Sequence, residues 1–185
     1  MKRREFTQQL QRSAIALALA PWLNAVAAPA ASSHVWRSNP FGLGVASGRP
    51  RADSVVLWTR LLFSDQDSAA STTAIRVRVD VFADAALKHR VHTAEVVTDA
   101  TRGHSVHVHV QQLKPSTDYW YRFSQGDARS TVGHTRTAPA LNADVSTLRI
   151  ALASCQHYEQ GQFMAHEEIA KQPLDFVLFM GDYIY

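Results

Sequence analysis

Apolar and polar residues alternate along several short segments between residues 40 and 139. In Ala74 to Val81 every second residue from Ile75 onwards is apolar, and the same period recurs in Ser105 to Val110. The segment from Ser54 to Thr59 is a further short, mainly apolar run that we also interpret as a strand. Successive side chains of a strand point to opposite faces, so this alternation predicts strands with one buried face. The apolar residues on one face of the longest segment are Ile75, Val77, Val79 and Val81. We therefore expect a sheet that is covered on one side.

An aromatic segment from Leu113 to Phe123 follows these strands. Its leucine, proline and Tyr119 resemble the tyrosine corner of immunoglobulin and fibronectin type III sandwiches, in which the tyrosine hydroxyl bonds back to upstream backbone. We predict that residues 40–139 form an all-β immunoglobulin/fibronectin-like sandwich. His107 and His109 share one face of the third strand, but no third ligand stands near them in the sequence, so we assign no metal site there.

The pattern changes beyond the predicted sandwich. Residues 140–147 are rich in alanine and polar residues and predict a linker. Two apolar runs, Leu148 to Ala153 and Phe176 to Met180, then flank a segment with mixed helical spacing from Gln162 to Lys171. A strand, a helix and a second strand are typical of a parallel β-α-β unit, whose apolar strands belong inside a helix-covered sheet. We predict that residues 148–185 begin an α/β domain.

The first 27 residues have the pattern of a signal peptide that is removed on export. The pair Arg3-Arg4 precedes an alanine-rich run from Ala14 to Ala20, which is much shorter than a membrane-spanning helix. The two arginines, followed closely by Phe6, resemble a signal for the twin-arginine export route. We expect no permanent membrane anchor, a linker over residues 28–39, and a protein that is periplasmic or secreted.

The net charge argues against a nucleic-acid partner. The chain carries +3 at pH 7, and residues 1–27 contain four basic residues and one acidic residue, an excess of the same size. The rest of the chain is therefore close to neutral and has no basic excess for nucleic acid or an anionic membrane. We expect a monomer whose protein partner is the twin-arginine export machinery.

Residues with chemical capability follow both apolar runs. Cys155 comes just after the first run, and Asp182 and Tyr185 follow the second. The carboxyl ends of neighbouring parallel strands share one edge of a sheet and lie about 4.8 Å apart, so one metal ion could reach both Cys155 and Asp182. A thiolate, a carboxylate and a phenolate together suit a ferric ion, because the cation displaces the proton of each ligand.

The same residues are also compatible with roles that involve no metal. Cys155 is the only cysteine of the chain and could be a small buried apolar residue, while Gly181 and Asp182 could form an ordinary turn. Cys155 could instead be a covalent nucleophile with His157 as its base, although nothing in the sequence supplies an oxyanion hole. A non-enzymatic alternative is an exported adhesion or binding module built on the sandwich.

Four segments resemble, in the same order, the PhoD-like phosphatases of the alkaline phosphatase D family. These segments are Asn39 to Gly48, Asp53 to Leu61, Ala153 to Gln156 and Phe176 to Tyr185. The motif Gly-Asp-x-x-Tyr at residues 181–185 also resembles that of purple acid phosphatases, in which the tyrosine binds ferric iron. Arg49 departs from the pattern, because it stands where the family has an aspartate in a Ser-Gly-Asp-Pro turn.

The resemblance implies an exported phosphatase in which Cys155, Asp182 and Tyr185 are metal ligands of a cluster containing Fe³⁺ and Ca²⁺. It implies hydrolysis of phosphate mono- and diesters at alkaline pH by an oxygen nucleophile bound to the metal, so no side chain is assigned as the nucleophile. The family's later aspartate, asparagine and histidine ligands lie beyond Tyr185. We therefore expect the chain to hold only the start of the metallophosphatase domain and to be inactive by itself.

Overall fold

The computed structural model of the chain describes residues 35–185. The predicted signal peptide and most of the predicted linker that follows it lie outside the described residues. No helix within residues 35–185 is long and apolar enough to cross a membrane.

Two antiparallel sheets form the larger part of the described chain. Their strands are β1 (Val45–Gly48), β2 (Val55–Arg60), β3 (Ile75–Phe82), β4 (Arg90–Thr98), β5 (Ser105–Val110), β6 (Asp118–Gln125), β7 (Ala128–Arg129) and β8 (Gly133–Arg136). The first sheet has the order β1-β2-β5, and the second has the order β4-β3-β6, with β7 and β8 both paired to β6. Two 3-10 helices, Asp65–Thr72 and Ala100–Arg102, lie in the connections.

A single hydrophobic core joins the two sheets, because both contribute to one cluster of buried side chains. The alternation in β3 is confirmed: Val77 and Val79 are each 1% exposed, whereas Arg78 between them is half-buried. In β5 the valines are buried and His107 and His109 are exposed on the opposite face. The predominantly β architecture predicted for this region is therefore present, and the period of the sequence sets which face of each strand is buried.

The aromatic segment begins its strand later than the sequence suggests. Strand β6 starts at Asp118 rather than at Leu113, because a turn around Pro115 and Ser116 separates Leu113 from the ladder. The Tyr119 hydroxyl accepts a hydrogen bond from the backbone N–H of Lys114 at 2.9 Å. The tyrosine thus bonds to upstream backbone in the manner expected from the leucine, proline and tyrosine spacing.

The described chain is attached to the sandwich from Trp36 onwards. The Trp36 indole N–H donates to the backbone oxygen of Gln125 at 3.1 Å, and the ring is 9% exposed. The buried carboxylate of Asp67 accepts hydrogen bonds from the N–H groups of Arg37 and Ser38 at 3.1 and 3.2 Å. Residues 36–38, which the sequence analysis assigns to a linker, therefore contact the sandwich, and Trp36 belongs to its hydrophobic core.

Arg49 lies in the turn between β1 and β2 with a φ of 49°. This left-handed conformation is costly for most side chains and is tolerated best by glycine, asparagine and aspartate. The position where the sequence departs from the PhoD-like pattern is thus a strained turn. The aspartate that the resemblance leads us to expect at this position would fit this backbone better.

The last part of the described chain is a strand, a helix and a strand. Strands β9 (Ile150–Ala153) and β10 (Phe176–Phe179) pair in parallel, and helix α1 (Met164–Lys171) lies between them in sequence. The predicted order of elements and the parallel pairing are confirmed. The expected burial is not observed in this part of the structure, because Leu152 and Leu178 are 58% and 49% exposed.

Candidate metal centre

The two parallel strands bring the predicted ligands to one edge of the sheet. Ala153 at the end of β9 lies opposite Phe179 at the end of β10, and the N–H of Met180 donates to the Ala153 carbonyl at 3.0 Å. Cys155 follows β9 by two residues, and Asp182 follows β10 by three. The loops that follow β9 and β10 therefore begin side by side at the same edge of the sheet.

Two of the three predicted ligands approach one carboxylate oxygen of the third. The Cys155 sulfur lies 3.7 Å from Oδ2 of Asp182, and the Tyr185 hydroxyl donates a hydrogen bond to the same oxygen. All three residues are exposed at the strand ends. The structure thus brings together the thiol, carboxyl and phenol that the sequence places 27 and 30 residues apart along the chain.

Main-chain hydrogen bonds tie the two loops together. The N–H of Gln156 donates to the Asp182 carbonyl at 3.3 Å, and the N–H of Tyr185 donates to the Gln156 carbonyl at 2.7 Å. The N–H of Tyr158 in turn donates to the Tyr185 carbonyl at 3.0 Å. The loops therefore continue the pairing of the strands beyond their ends.

Two of the three converging residues have an unusual backbone. Cys155 has a φ of 58° and Asp182 a φ of 45°, both in the left-handed region, and Gly181 has a φ of 123°. A glycine adopts this last conformation without steric cost, which explains the need for Gly181 directly after the strand. Non-glycine residues in such conformations cluster at functional sites, where surrounding contacts hold them in place.

Electrostatics keep the phenol protonated when no cation is present. The hydrogen bond to Asp182 raises the pKa of Tyr185 to about 12, because ionisation would place a phenolate against a carboxylate. Within residues 35–185 no group of three His, Cys, Asp and Glu side chains is placed to hold a metal ion. The cluster can therefore offer three anionic donors only if Tyr185 is one of them.

The contacts of Cys155 do not favour the nucleophile alternative. The Nδ1 atom of His157 accepts a hydrogen bond from the N–H of Glu159 at 3.3 Å, and its ring lies 6.5 Å from that of Tyr185. In the described part of the chain no hydrogen bond joins His157 to Cys155, whose side-chain partner is Asp182. The thiol accordingly belongs to the carboxyl–phenol cluster.

Sequence reasoning missed two residues beside this cluster. Gln156 belongs to a segment that resembles the PhoD-like pattern, and His166 lies on α1, but the sequence assigns neither of them a role. In the structure Nε2 of His166 is hydrogen-bonded to Oε1 of Gln156. Residues ten apart in a loop and a helix have no periodic relation, so no sequence pattern could have paired them.

Comparisons with known proteins agree with the resemblance seen in the sequence. The family described as PhoD-like phosphatase, N-terminal domain, matches residues 26–139, and the family described as PhoD-like phosphatase matches residues 150–185. Alkaline phosphatase D of Bacillus subtilis (strain 168) is 43% identical over 149 residues, which cover 80% of this chain and 26% of that protein. The chain thus spans about a quarter of the length of this curated relative.

A solved structure of PhoD is similar to the chain in its backbone as well. It is 42% identical and superposes with a TM-score of 0.77 over 82% of this chain and 29% of that one. The N-terminal family pattern alone covers more than half of the 185 residues. Sequence, strand arrangement and these matches together establish that the chain belongs to the PhoD-like phosphatase family.

Proposed function

We propose that the chain contributes to an exported, metal-dependent phosphatase that hydrolyses phosphate mono- and diesters at alkaline pH. The observation that carries the proposal is the approach of the Cys155 sulfur and the Tyr185 hydroxyl to a single carboxylate oxygen of Asp182. The resemblance to the PhoD-like family implies that these three residues are metal ligands. Phosphate esters are the substrate class that this family membership supports.

The chemistry of the three donors fits a ferric ion. A thiolate, a carboxylate and a phenolate carry three negative charges, which match a trivalent cation and would repel one another without it. Calcium prefers six to eight oxygen ligands, and this cluster offers only the oxygens of Asp182 and Tyr185. We therefore assign Cys155, Asp182 and Tyr185 to Fe³⁺, and we propose that Ca²⁺ needs oxygen ligands in addition to them.

The bound cations would supply positive charge that offsets the charge on the phosphoryl oxygens of the substrate. The chain's own contribution is to position the ligands. Backbone hydrogen bonds between the two loops hold Cys155 beside Asp182 before any cation binds. The same bonds fix Tyr185 at the open edge of the sheet, where a substrate phosphate has access from solvent.

The architecture supports a two-part organisation of the chain. We propose that residues 40–139, together with the docked segment from Trp36, are an immunoglobulin/fibronectin-like sandwich. The antiparallel sheet orders and the Tyr119 hydrogen bond support this assignment. We propose that residues 148–185 begin an α/β metallophosphatase domain after a linker at 140–147, which is supported by the parallel pair and its intervening helix.

The central test is the colour of the iron-loaded protein. A phenolate bound to ferric iron has a ligand-to-metal charge-transfer band, so Tyr185→Phe should abolish the visible absorbance, whereas Tyr183→Phe in the same loop should retain it. Metal content and the visible spectrum are measured for both variants in the whole polypeptide that carries this sequence. A protein that contains zinc and no iron, or a band that survives Tyr185→Phe, would show that the assignment is wrong.

Export is a separate part of the proposal. The pair Arg3-Arg4 supports the twin-arginine route, which carries proteins that have already folded. Replacing both arginines by lysine should leave unprocessed precursor in the cytoplasm, while the unchanged protein is cleaved after Ala27. Fractionation and sequencing of the mature N-terminus measure both expectations, and normal processing of the lysine variant would contradict the twin-arginine assignment.

The 185-residue chain alone should not turn over phosphate esters. Its three assigned ligands are too few for a cluster that includes calcium, and none of the described residues near them is placed to orient a leaving group. Incubation with Fe³⁺ and Ca²⁺ and a chromogenic phosphate ester at alkaline pH tests this expectation. Chelator-sensitive turnover at a rate typical of a phosphatase would place the active site elsewhere in the chain.

A further inference from the structure

We propose that Gln156 and His166 are a positioning pair that holds the loop of Cys155 against the loop of Asp182 and Tyr185. This inference rests on the proposed metal centre but concerns two residues to which the ligand assignment gives no role. Neither side chain is a proposed ligand. Their effect on the metal would act through the backbone of the ligand loops.

Gln156 is the residue through which the two loops are joined. Its N–H donates to the carbonyl of Asp182 at 3.3 Å, and its carbonyl accepts from the N–H of Tyr185 at 2.7 Å. Its neighbour in sequence is Cys155, so one residue is bonded or covalently adjacent to all three proposed ligands. A displacement of Gln156 would therefore move the sulfur, carboxylate and phenol relative to one another.

His166 attaches Gln156 to the helix and the second strand. The Oε1 atom of Gln156 is an acceptor, so Nε2 of His166 must carry a proton and donate it. The ring of His166 lies 5.5 Å from the ring of Phe179, which is the last residue of β10. Helix α1 is thus connected through one histidine to the end of β10 and to the loop that follows β9.

This connection explains how the strained ligand backbone is held. Cys155 has a left-handed backbone, which persists only where surrounding contacts oppose its relaxation. The side chain of Cys155 lies 3.7 Å from Asp182, and a contact of this length is a weak restraint. The contacts of Gln156, one residue further on, restrain both its backbone and its side chain. We infer that they are the main restraint on the conformation of Cys155.

The first test measures ferric iron binding to the whole polypeptide that carries this sequence. His166→Ala should weaken iron binding about tenfold and shift the charge-transfer band, because residues that orient metal ligands typically have effects of that size. His166→Gln should restore both properties, since its amide can donate to Gln156 in place of the imidazole. His89→Ala, in an exposed turn of the sandwich, is the matched control and should bind iron normally.

The second test needs no metal. Amide hydrogen exchange of Tyr158 and Tyr185 should accelerate in His166→Ala and in Gln156→Ala and return to the original rate in His166→Gln. Unchanged exchange of both amides in His166→Ala would overturn the pairing, as would iron binding and a band identical to those of the unaltered protein. If the iron-loaded, unaltered protein shows no charge-transfer band that depends on Tyr185, the proposed metal centre is wrong. The amide exchange rates alone then decide whether Gln156 and His166 position the two loops.

Discussion

The sandwich and the strand–helix–strand segment use apolar residues in opposite ways. Val79 in β3 is 1% exposed, whereas Leu152 in β9 is 58% exposed, although both lie in strands rich in aliphatic residues. The sandwich contains two sheets whose inner faces cover each other. The β9–β10 pair has no such second layer among the residues that the structure describes. An apolar strand is therefore buried only if a partner surface is present.

The two regions also differ in their roles, because the buried core and the proposed metal ligands lie in different parts of the chain. The sandwich contains the buried core but none of the proposed ligands, and the exposed β9–β10 pair carries all three. Two short parallel strands are marginal in isolation, since sheets generally need three or more strands or packing against helices. The candidate centre is thus built on the part of the described chain that contributes least to its own folding.

The largest expected effect separates the two regions directly. Val79→Asp would bury a charge between the two sheets, which should cost about 4–5 kcal/mol or more and unfold most of the sandwich population. Leu152→Asp places the same charge on an exposed face and should change the free energy of unfolding by less than about 0.5 kcal/mol. Urea denaturation followed by tryptophan fluorescence measures both effects.

Tryptophan fluorescence reports the unfolding of the sandwich in both variants. The tryptophans within the described residues are Trp36, Trp58 and Trp120, and all of them belong to the sandwich or dock on it. Leu152→Asp should also reduce aggregation, because it breaks an exposed apolar strand. Equal destabilisation of the sandwich by the two substitutions would show that Leu152 is buried against it in solution, which would remove the contrast between the regions.

The same contrast decides how much of the fold could be predicted from the sequence. Period-2 alternation predicted β3 and β5 closely, because every second residue of a strand in a two-layer sandwich faces the core. A short apolar run predicted β2. It did not find β4, where exposed and half-buried residues alternate along an edge strand. It also placed Trp36 in a linker, because a single aromatic residue that docks beside a sheet has no period.

The candidate site was predictable to a different extent. Parallel strand ends and anionic residue types placed Cys155 and Asp182 together, since that rule depends only on topology. Tyr185 followed from its short spacing after Asp182 and from the resemblance to known phosphatases. The left-handed backbone of Cys155 and the hydrogen bond between Gln156 and His166 could not be predicted, because both arise from contacts between loops and a helix.

A smaller effect tests how tightly the sandwich is packed. Gly133 in β8 lies opposite Tyr121 in β6, and a Cβ at this glycine would lie 2.2 Å from Cζ of the tyrosine ring. Gly133→Ala must displace that buried ring and should cost about 1–3 kcal/mol. Gly48→Ala in β1 is the matched control, since nothing lies within 4 Å of its Cβ position. In thermal or urea unfolding, Gly133→Ala should have a lower midpoint than the unaltered protein, and Gly48→Ala should not. Equal midpoints for the two variants would mean that the Tyr121 ring is mobile.

The last prediction concerns the alkaline pH at which the proposed reaction takes place. Tyr121 is 1% exposed, and its burial raises the pKa to about 12, with a hydrogen bond to Ser47 acting weakly in the opposite direction. An unfolded tyrosine has a pKa of about 10. The folded state therefore favours the neutral phenol, and this contribution to stability is complete below about pH 10.

The contribution is lost as the pH rises from about 10 to 12, because the unfolded phenol then ionises while the buried one does not. Two pKa units correspond to at most about 2–3 kcal/mol of unfolding free energy. The phenylalanine of the Tyr121→Phe variant has no ionisable group, so its free energy of unfolding does not contain this contribution. Between about pH 9 and 12 the stability of the variant should therefore rise relative to that of the unaltered protein by about 2–3 kcal/mol. Urea unfolding of both proteins across this range measures the shift. If the difference between the two free energies of unfolding did not change with pH, the Tyr121 hydroxyl would be in contact with water. The sandwich core would then be more open beside Gly133 than the burial of the β3 valines indicates.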